Sequence, residues 1–314
     1  MRIVFMGTPD FAANILYELK EQHEVVAVYT QPDAVRGRGK QLEPSPVKKV
    51  ALKAGIPVFE PRRLRDAEEL ERLRALAPDA ICVAAYGKIL PQEVLDIPRF
   101  GCLNVHASLL PQYRGAAPIE RAILNGEREA GVCIMRMEAG LDTGDYCISR
   151  ACEIGDMNAE RLTGELSDKG ACALISALYE LEAGSIRWTA QNDAEATYAE
   201  KLAKGELNLN PADSASLNLR RVRASSAAHP SRCVIGGKGV TVMDVRLADA
   251  GDMPGVAPEQ GMVAFAAKRL FLGCADGVLE ILSVKPDGKK EMDAAAFASG
   301  VQNIKSGTIV WEQM

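Results

Sequence analysis

The stretch GCLNVHASLLPQYRGAAP, residues 101–118, decides how the rest of the chain is read. Cys102, Leu103 and Val105 form a short apolar run that Asn104 and His106 interrupt. Pro111 breaks the run, and an Arg114-Gly115 pair leads to a helix start at Pro118. An apolar strand ending in Asn-x-His and opening into a Pro/Gly loop is where open α/β sheets carry chemistry, because ligands bind outside the carboxyl ends of strands. His106 is one of only three histidines in 314 residues, and it is the one at a strand-to-loop junction. A strand-end histidine is also an ordinary hydrogen-bonded structural residue, and Asn104 can equally form a turn. MEAGLDTGDY, residues 137–146, shifts the balance by holding Asp142 in a Gly-flanked loop. An acid beside a strand-end histidine is the arrangement of a base and its orienting carboxylate.

Working outward, RIVFM at residues 2–6 reads as a buried strand, and Thr8 or Asp10 can cap the helix after it. Phe11, Ile15, Leu16 and Leu19 recur at helical spacing, and EVVAVYT at 24–30 is a second strand. This βαβ opening predicts a mostly parallel sheet buried on both faces. DAICVAA at 79–85, residues 103–105 and GVCIMR at 131–136 continue it, and residues 146–154 read as an extended partner at its edge. Residues 158–181 form the longest helical pattern. The apolar, Gly-broken loop Tyr86-Gly87-Lys88-Ile89-Leu90 suits a flat heterocycle, or simply caps the sheet. Residues 31–46 make a long loop, a length that marks function or disorder. Its Arg36, Arg38 and Lys40 are either solvated charges or phosphate ligands.

Beyond a polar stretch at 184–207 the pattern changes to five short strands separated by Gly, Asp and Lys, which predicts a small antiparallel barrel. The expected organisation is a domain over 1–187, a linker over 188–207 and a barrel over 208–314.

Net charge is −5, and residues 208–314 carry 12 Lys and Arg against 11 Asp and Glu. Neither half is broadly basic, so nucleic-acid contact would rest on local clusters: Arg36, Arg38, Lys40, Lys48 and Lys49, or Arg220, Arg221 and Arg223. The eight cysteines include no CxxC pair, which argues against a metal site and for reduced thiols. No apolar run approaches 18 residues, so the expectation is a cytoplasmic protein without a membrane span, and a monomer by default. The Gly7-Thr8-Pro9 turn is not GxGxxG, which leaves a nicotinamide oxidoreductase weakly supported.

Asn104-Val105-His106, Ser108-Leu109-Leu110-Pro111, Arg114-Gly115, Pro118 and Leu141-Asp142-Thr143-Gly144-Asp145 together resemble the formyltransferase family that uses 10-formyltetrahydrofolate. MGTPDFA at 6–12 and QPDAVRGRGKQLEPSPVK at 31–48 resemble the branch of that family acting on tRNA. The resemblance implies a Rossmann-like catalytic domain and an oligonucleotide-binding-type (OB-like) barrel. It also implies 10-formyltetrahydrofolate as formyl donor and the methionyl group on initiator tRNA as acceptor. By the same resemblance Asn104, His106 and Asp142 are catalytic. Folate would meet Ser108, Leu109, Leu110, Pro111, Tyr86, Gly87, Ile89 and Leu90, and tRNA would meet Arg36, Arg38 and Lys40. The family usually carries an Asn-Pro-Trp-Pro-like segment where this chain reads RRVRASSAAHPSRC, and His229 there is read as structural.

Formyl transfer to an amine is acyl transfer, needing an oxyanion donor, a proton shuttle and a group that orients the shuttle. Asn104, His106 and Asp142 supply those three. Other acceptors, such as a sugar-nucleotide amine, would use the same three residues. A non-catalytic RNA-binding protein would have no use for them.

Overall fold

The computed structural model describes residues 1–35, 42–249, 251, 253–255 and 257–314. Contacts divide the chain into two units. The first comprises Met1–Pro118, Glu129–Glu153 and Leu162–Glu200; the second comprises Ile119–Arg128, Ile154–Arg161 and Lys201–Met314.

In the first unit the apolar runs become strands β1 (Arg2–Gly7), β2 (Glu24–Tyr29), β3 (Val58–Phe59), β4 (Ala80–Ala84), β5 (Cys102–His106), β6 (Glu129–Arg136) and β7 (Tyr146–Glu153). They lie in the order β7-β6-β5-β4-β1-β2-β3. The first five are mutually parallel, while β6 runs antiparallel to β5 and β7 antiparallel to β6. Ile3, Val4, Phe5 and Met6 are fully buried, as continuous apolar strands under helices on both faces must be. The strand order reverses between β1 and β4, so their carboxyl ends mark the crevice where such sheets bind ligands. His106 ends the next strand over.

Thr8 does not cap the first helix. Helix Asp10–Gln22 has Pro9 at its N-cap and no side-chain cap. The Thr8 hydroxyl instead donates to the Tyr86 carbonyl at 3.2 Å, and Gln31 Nε2 donates to the same oxygen at 3.1 Å. The loops after β1, β2 and β4 are thereby joined at one point.

Residues 188–200 belong to the first unit, where Thr189 bridges Tyr146 and Tyr198–Ala199 pairs in parallel with Arg114–Gly115. Thr197 and Gln191 bond to the first unit's own loops, a use that composition does not distinguish from solvation.

In the second unit, among the described residues, a seven-stranded curled antiparallel sheet is built from β8 (Arg232–Ile235), β9 (Lys238–Leu247), β10 (Val263–Ala266), β11 (Arg269–Gly273), β12 (Val278–Pro286) and β13 (Trp311–Gln313), with the short Met292–Asp293 pairing on β12 off the main path. Their order is β10-β11-β12-β9-β8-β13, and a Met262–Val310 bridge brings the two ends together. The barrel expectation holds, with β13 as an additional strand. Trp311 fills the interior, 1% exposed, and its indole N–H donates to the Gly273 carbonyl at 2.9 Å. In the departed segment, Ser226 and His229 close a turn on each other, and the buried Ser231 hydroxyl donates to the Arg221 carbonyl at 2.7 Å.

Candidate active site

Asn104 and His106 sit two apart on β5 and therefore on one face of it. Opposite them on β6 are Met135 and Cys133. His106 is 5% exposed. Its Nε2 lies 3.0 Å from the Tyr113 carbonyl, which can only accept, so Nε2 carries a proton. Nδ1 is then the nitrogen that gains or lacks a proton. It faces Asp142 Oδ2 at 3.7 Å, too long for a hydrogen bond but close for two charges.

Asp142 adopts φ +52°, a left-handed conformation that Asp tolerates better than most residues. Its Oδ2 accepts the Gly115 N–H at 2.9 Å. Tyr113 and Gly115 thus hold His106 and Asp142 through the main chain, two residues apart. Gly115 has φ +122°, and a Cβ there would lie 2.8 Å from the Ala199 carbonyl oxygen, so only glycine fits this path. Among the described residues the half-buried Asn104 amide has no hydrogen-bond partner.

The proposed folate residues separate into anchors and outward-facing groups. Tyr86 and Leu90 are buried in the core beneath their loop, 2% and 4% exposed. Gly87 and Ile89 face outward, Ile89 being 89% exposed. Ser108 is buried and donates to the Gln112 carbonyl at 2.5 Å, which closes the turn. Leu110 packs inward on Cys133 and Met135, and its N–H donates to Cys133 Sγ at 3.3 Å. Burial pushes the Cys133 thiol up to about 11, so it is no nucleophile at neutral pH. Leu109 and Pro111 stay half-buried, and Leu109 occupies the space that Gly131 of β6 leaves by lacking a side chain.

Arg36, Arg38 and Lys40 lie outside the described residues. Of the other basic candidates, Arg220 has a buried Nε with no hydrogen-bond partner among the described residues, and the remaining four are engaged within the protein. Lys48 pairs with Asp33 and Glu60 at 2.8 Å each, and Lys49 faces Glu43 at 3.9 Å. Arg221 pairs with Asp213 at 2.6 Å, and Arg223 donates to the Gly155 carbonyl at 3.2 Å.

Tyr113, Arg114 and Gln191 had no site role in the sequence reading. The Arg-Gly pair was visible there, but a main-chain carbonyl that holds a histidine has no sequence signal. No group of three His, Cys, Asp or Glu able to hold a metal occurs among the described residues, and no described helix is long and apolar enough to cross a membrane.

Residues 1–178 match the family model described as Formyl transferase, and residues 201–302 match Formyl transferase, C-terminal domain.

The chain belongs to the formyl transferase family.

Among curated relatives, the methionyl-tRNA formyltransferase of Methylococcus capsulatus is 46% identical over 95% of this chain and 96% of its own length. That of Xanthomonas campestris is 45% identical over 97% of this chain and 99% of its own length. Among solved structures, HypX from Aquifex aeolicus in complex with tetrahydrofolic acid shares the fold with a TM-score of 0.68 and 19% identity. It covers 97% of this chain, while this formyl transferase spans 48% of that one. WlaRD, a sugar 3N-formyl transferase, has a TM-score of 0.64 at 16% identity, covering 92% of this chain and 99% of its own.

Proposed function

We propose that this formyl transferase moves the formyl group of 10-formyltetrahydrofolate to the free amino group of the methionyl residue on initiator tRNA. The product is the N-formylmethionyl-tRNA used in translation initiation. The near-full-length identity of 46% to a methionyl-tRNA formyltransferase carries this reading.

The residues present fit the donor. Gly87 and Ile89 offer an open surface, Leu109 and Pro111 stay partly exposed after β5, and the Asn104 amide is uncommitted. When bound, the donor supplies the formyl carbonyl and the leaving nitrogen. The Asn104 N–H stabilises the oxyanion that develops as the acceptor amine attacks. His106 Nδ1 takes the amine's proton and returns it to the leaving nitrogen, so the ring ends as it began. While His106 is doubly protonated it faces the Asp142 carboxylate at 3.7 Å, and Nε2 keeps its bond to Tyr113, which holds the ring in place. No covalent enzyme intermediate is needed, because the acceptor amine is itself the nucleophile.

Acceptor recognition is assigned to Arg36, Arg38 and Lys40 together with the barrel unit, as guanidinium and ammonium groups are the side chains that pair with phosphate. The proposed location is the cytoplasm, which eight free cysteines support, and the proposed state is a monomer by default. Transfer is tested on initiator Met-tRNA, free methionine and a sugar-nucleotide amine in parallel, with 10-formyltetrahydrofolate as donor. Product on Met-tRNA alone is expected. Product on the small amine instead would keep the chemistry and overturn the acceptor.

A further inference from the structure

The acid loop is held by a residue outside both family matches, which end at 178 and resume at 201. Gln191 Nε2 donates to the Asp142 carbonyl at 2.9 Å and to the Gly144 carbonyl at 2.6 Å. Its Oε1 accepts from Arg114 Nε at 2.9 Å. That acceptance fixes the amide's orientation, since the guanidinium has no acceptor to offer. Arg114 is 2% exposed, and its Nη2 pairs with the exposed Asp193 at 2.8 Å. Its own N–H donates to the Thr197 carbonyl at 2.9 Å.

We propose that Gln191, oriented by Arg114, is a positioning residue for catalysis: its two donated hydrogen bonds hold Asp142 in the left-handed conformation that aims its carboxylate at His106.

Two features of the geometry support this role. A non-glycine residue at φ +52° persists only where its surroundings impose that conformation, and Gln191 grips the carbonyl of that very residue. The carboxylate end is held separately, by the Gly115 N–H. Arg114 lies between Tyr113, which holds His106, and Gly115, which holds Asp142, and its side chain acts on the acid only through Gln191. The acid is therefore fixed at both its main chain and its side chain, as a catalytic group held within a fraction of an ångström requires.

This inference rests on the proposed roles of His106 and Asp142, and the experiment separates the two. Single-turnover transfer to Met-tRNA is measured for H106A, D142A, Q191A, Q191E and the pair Q191A/D142A, with KM for both substrates and thermal melting for each. Q191E keeps the volume and an oxygen for Arg114 but turns an oxygen toward two carbonyls. Both Gln191 variants are expected to lose tenfold or more in rate with each KM within twofold, and Q191E is expected to melt near the parent. In the D142A background, Q191A is expected to cost less than twofold further, which a merely structural role would not produce. Parental rate in Q191E, or a full Q191A loss that persists without Asp142, overturns the inference. Parental rates in H106A and D142A would instead overturn the site itself.

Discussion

Replacing Asp142 with Asn isolates the charge that faces His106. The side-chain oxygen that accepts the Gly115 N–H survives, as does the Asp142 carbonyl bound by Gln191, so the loop keeps its path. What disappears is one negative charge 3.7 Å from Nδ1. Between unit charges at that distance the attraction is about 1 kcal/mol in bulk water and about 4.5 kcal/mol at an effective dielectric of 20. His106 is 5% exposed and the Asp142 side chain 16%, which places the pair nearer the second value. On the proposed mechanism the His106 imidazolium loses most of that support, so kcat should fall by about 10²–10³. Both KM values should stay within twofold, and stability within about 1 kcal/mol. Rapid-quench measurement of formyl-Met-tRNA under single turnover checks the rate, and thermal melting checks the fold. A D142N enzyme within threefold of the parent would refute the claim that this charge supports the proton shuttle.

Gly115→Ala would place a Cβ 2.8 Å from the Ala199 oxygen at φ +122°, and should cost about 2 to 3 kcal/mol of stability by urea unfolding; parental stability would contradict the reading of this backbone. In the barrel, Arg269 and then Arg246 hold the Glu280 carboxyl below its usual range, so its contribution is present above the ordinary carboxylate pKa and lost as pH falls through the lowered value. Glu280→Gln should therefore cost about 2 kcal/mol at neutral pH, modest because Arg246 is half exposed, and should flatten the loss of stability with acid. Melting curves from pH 7 to 3 that superimpose for parent and variant would remove this role. Arg38→Ala should raise the KM for Met-tRNA and flatten its salt dependence while leaving that for the folate donor unchanged, as steady-state kinetics at several salt concentrations would report.

The sheet was legible because its strands are nearly unbroken apolar runs, Arg2–Gly7 and Ala80–Ala84 above all, and burial on both faces leaves such runs no other home. Asn104 and His106 stood out because polar residues interrupted one of those runs at its end. Helix Ala215–Arg223 was missed because its three arginines read as a charge cluster, although Ser214 caps it by accepting from the Leu217 N–H at 3.0 Å. Strand Trp311–Gln313 is three residues long and exists only through its partners in the barrel. Gln191 was hidden for a similar reason. A polar residue in a polar stretch gives no hint that its amide will bind two main-chain carbonyls across about fifty positions of sequence.

The grip of the main chain at Tyr113 and Gly115 has a consequence for how this enzyme would look to mutational scanning. The oxygen that holds His106 belongs to the backbone of residue 113, so removing the Tyr113 ring leaves that hold in place. A scan that ranks positions by side-chain loss would pass over Tyr113 and credit His106 with an orientation its neighbour supplies. The orientation is encoded in the route of the chain from Pro111 to Pro118, and changes in that route, rather than in the side chain at position 113, are what would turn His106 away from Asp142.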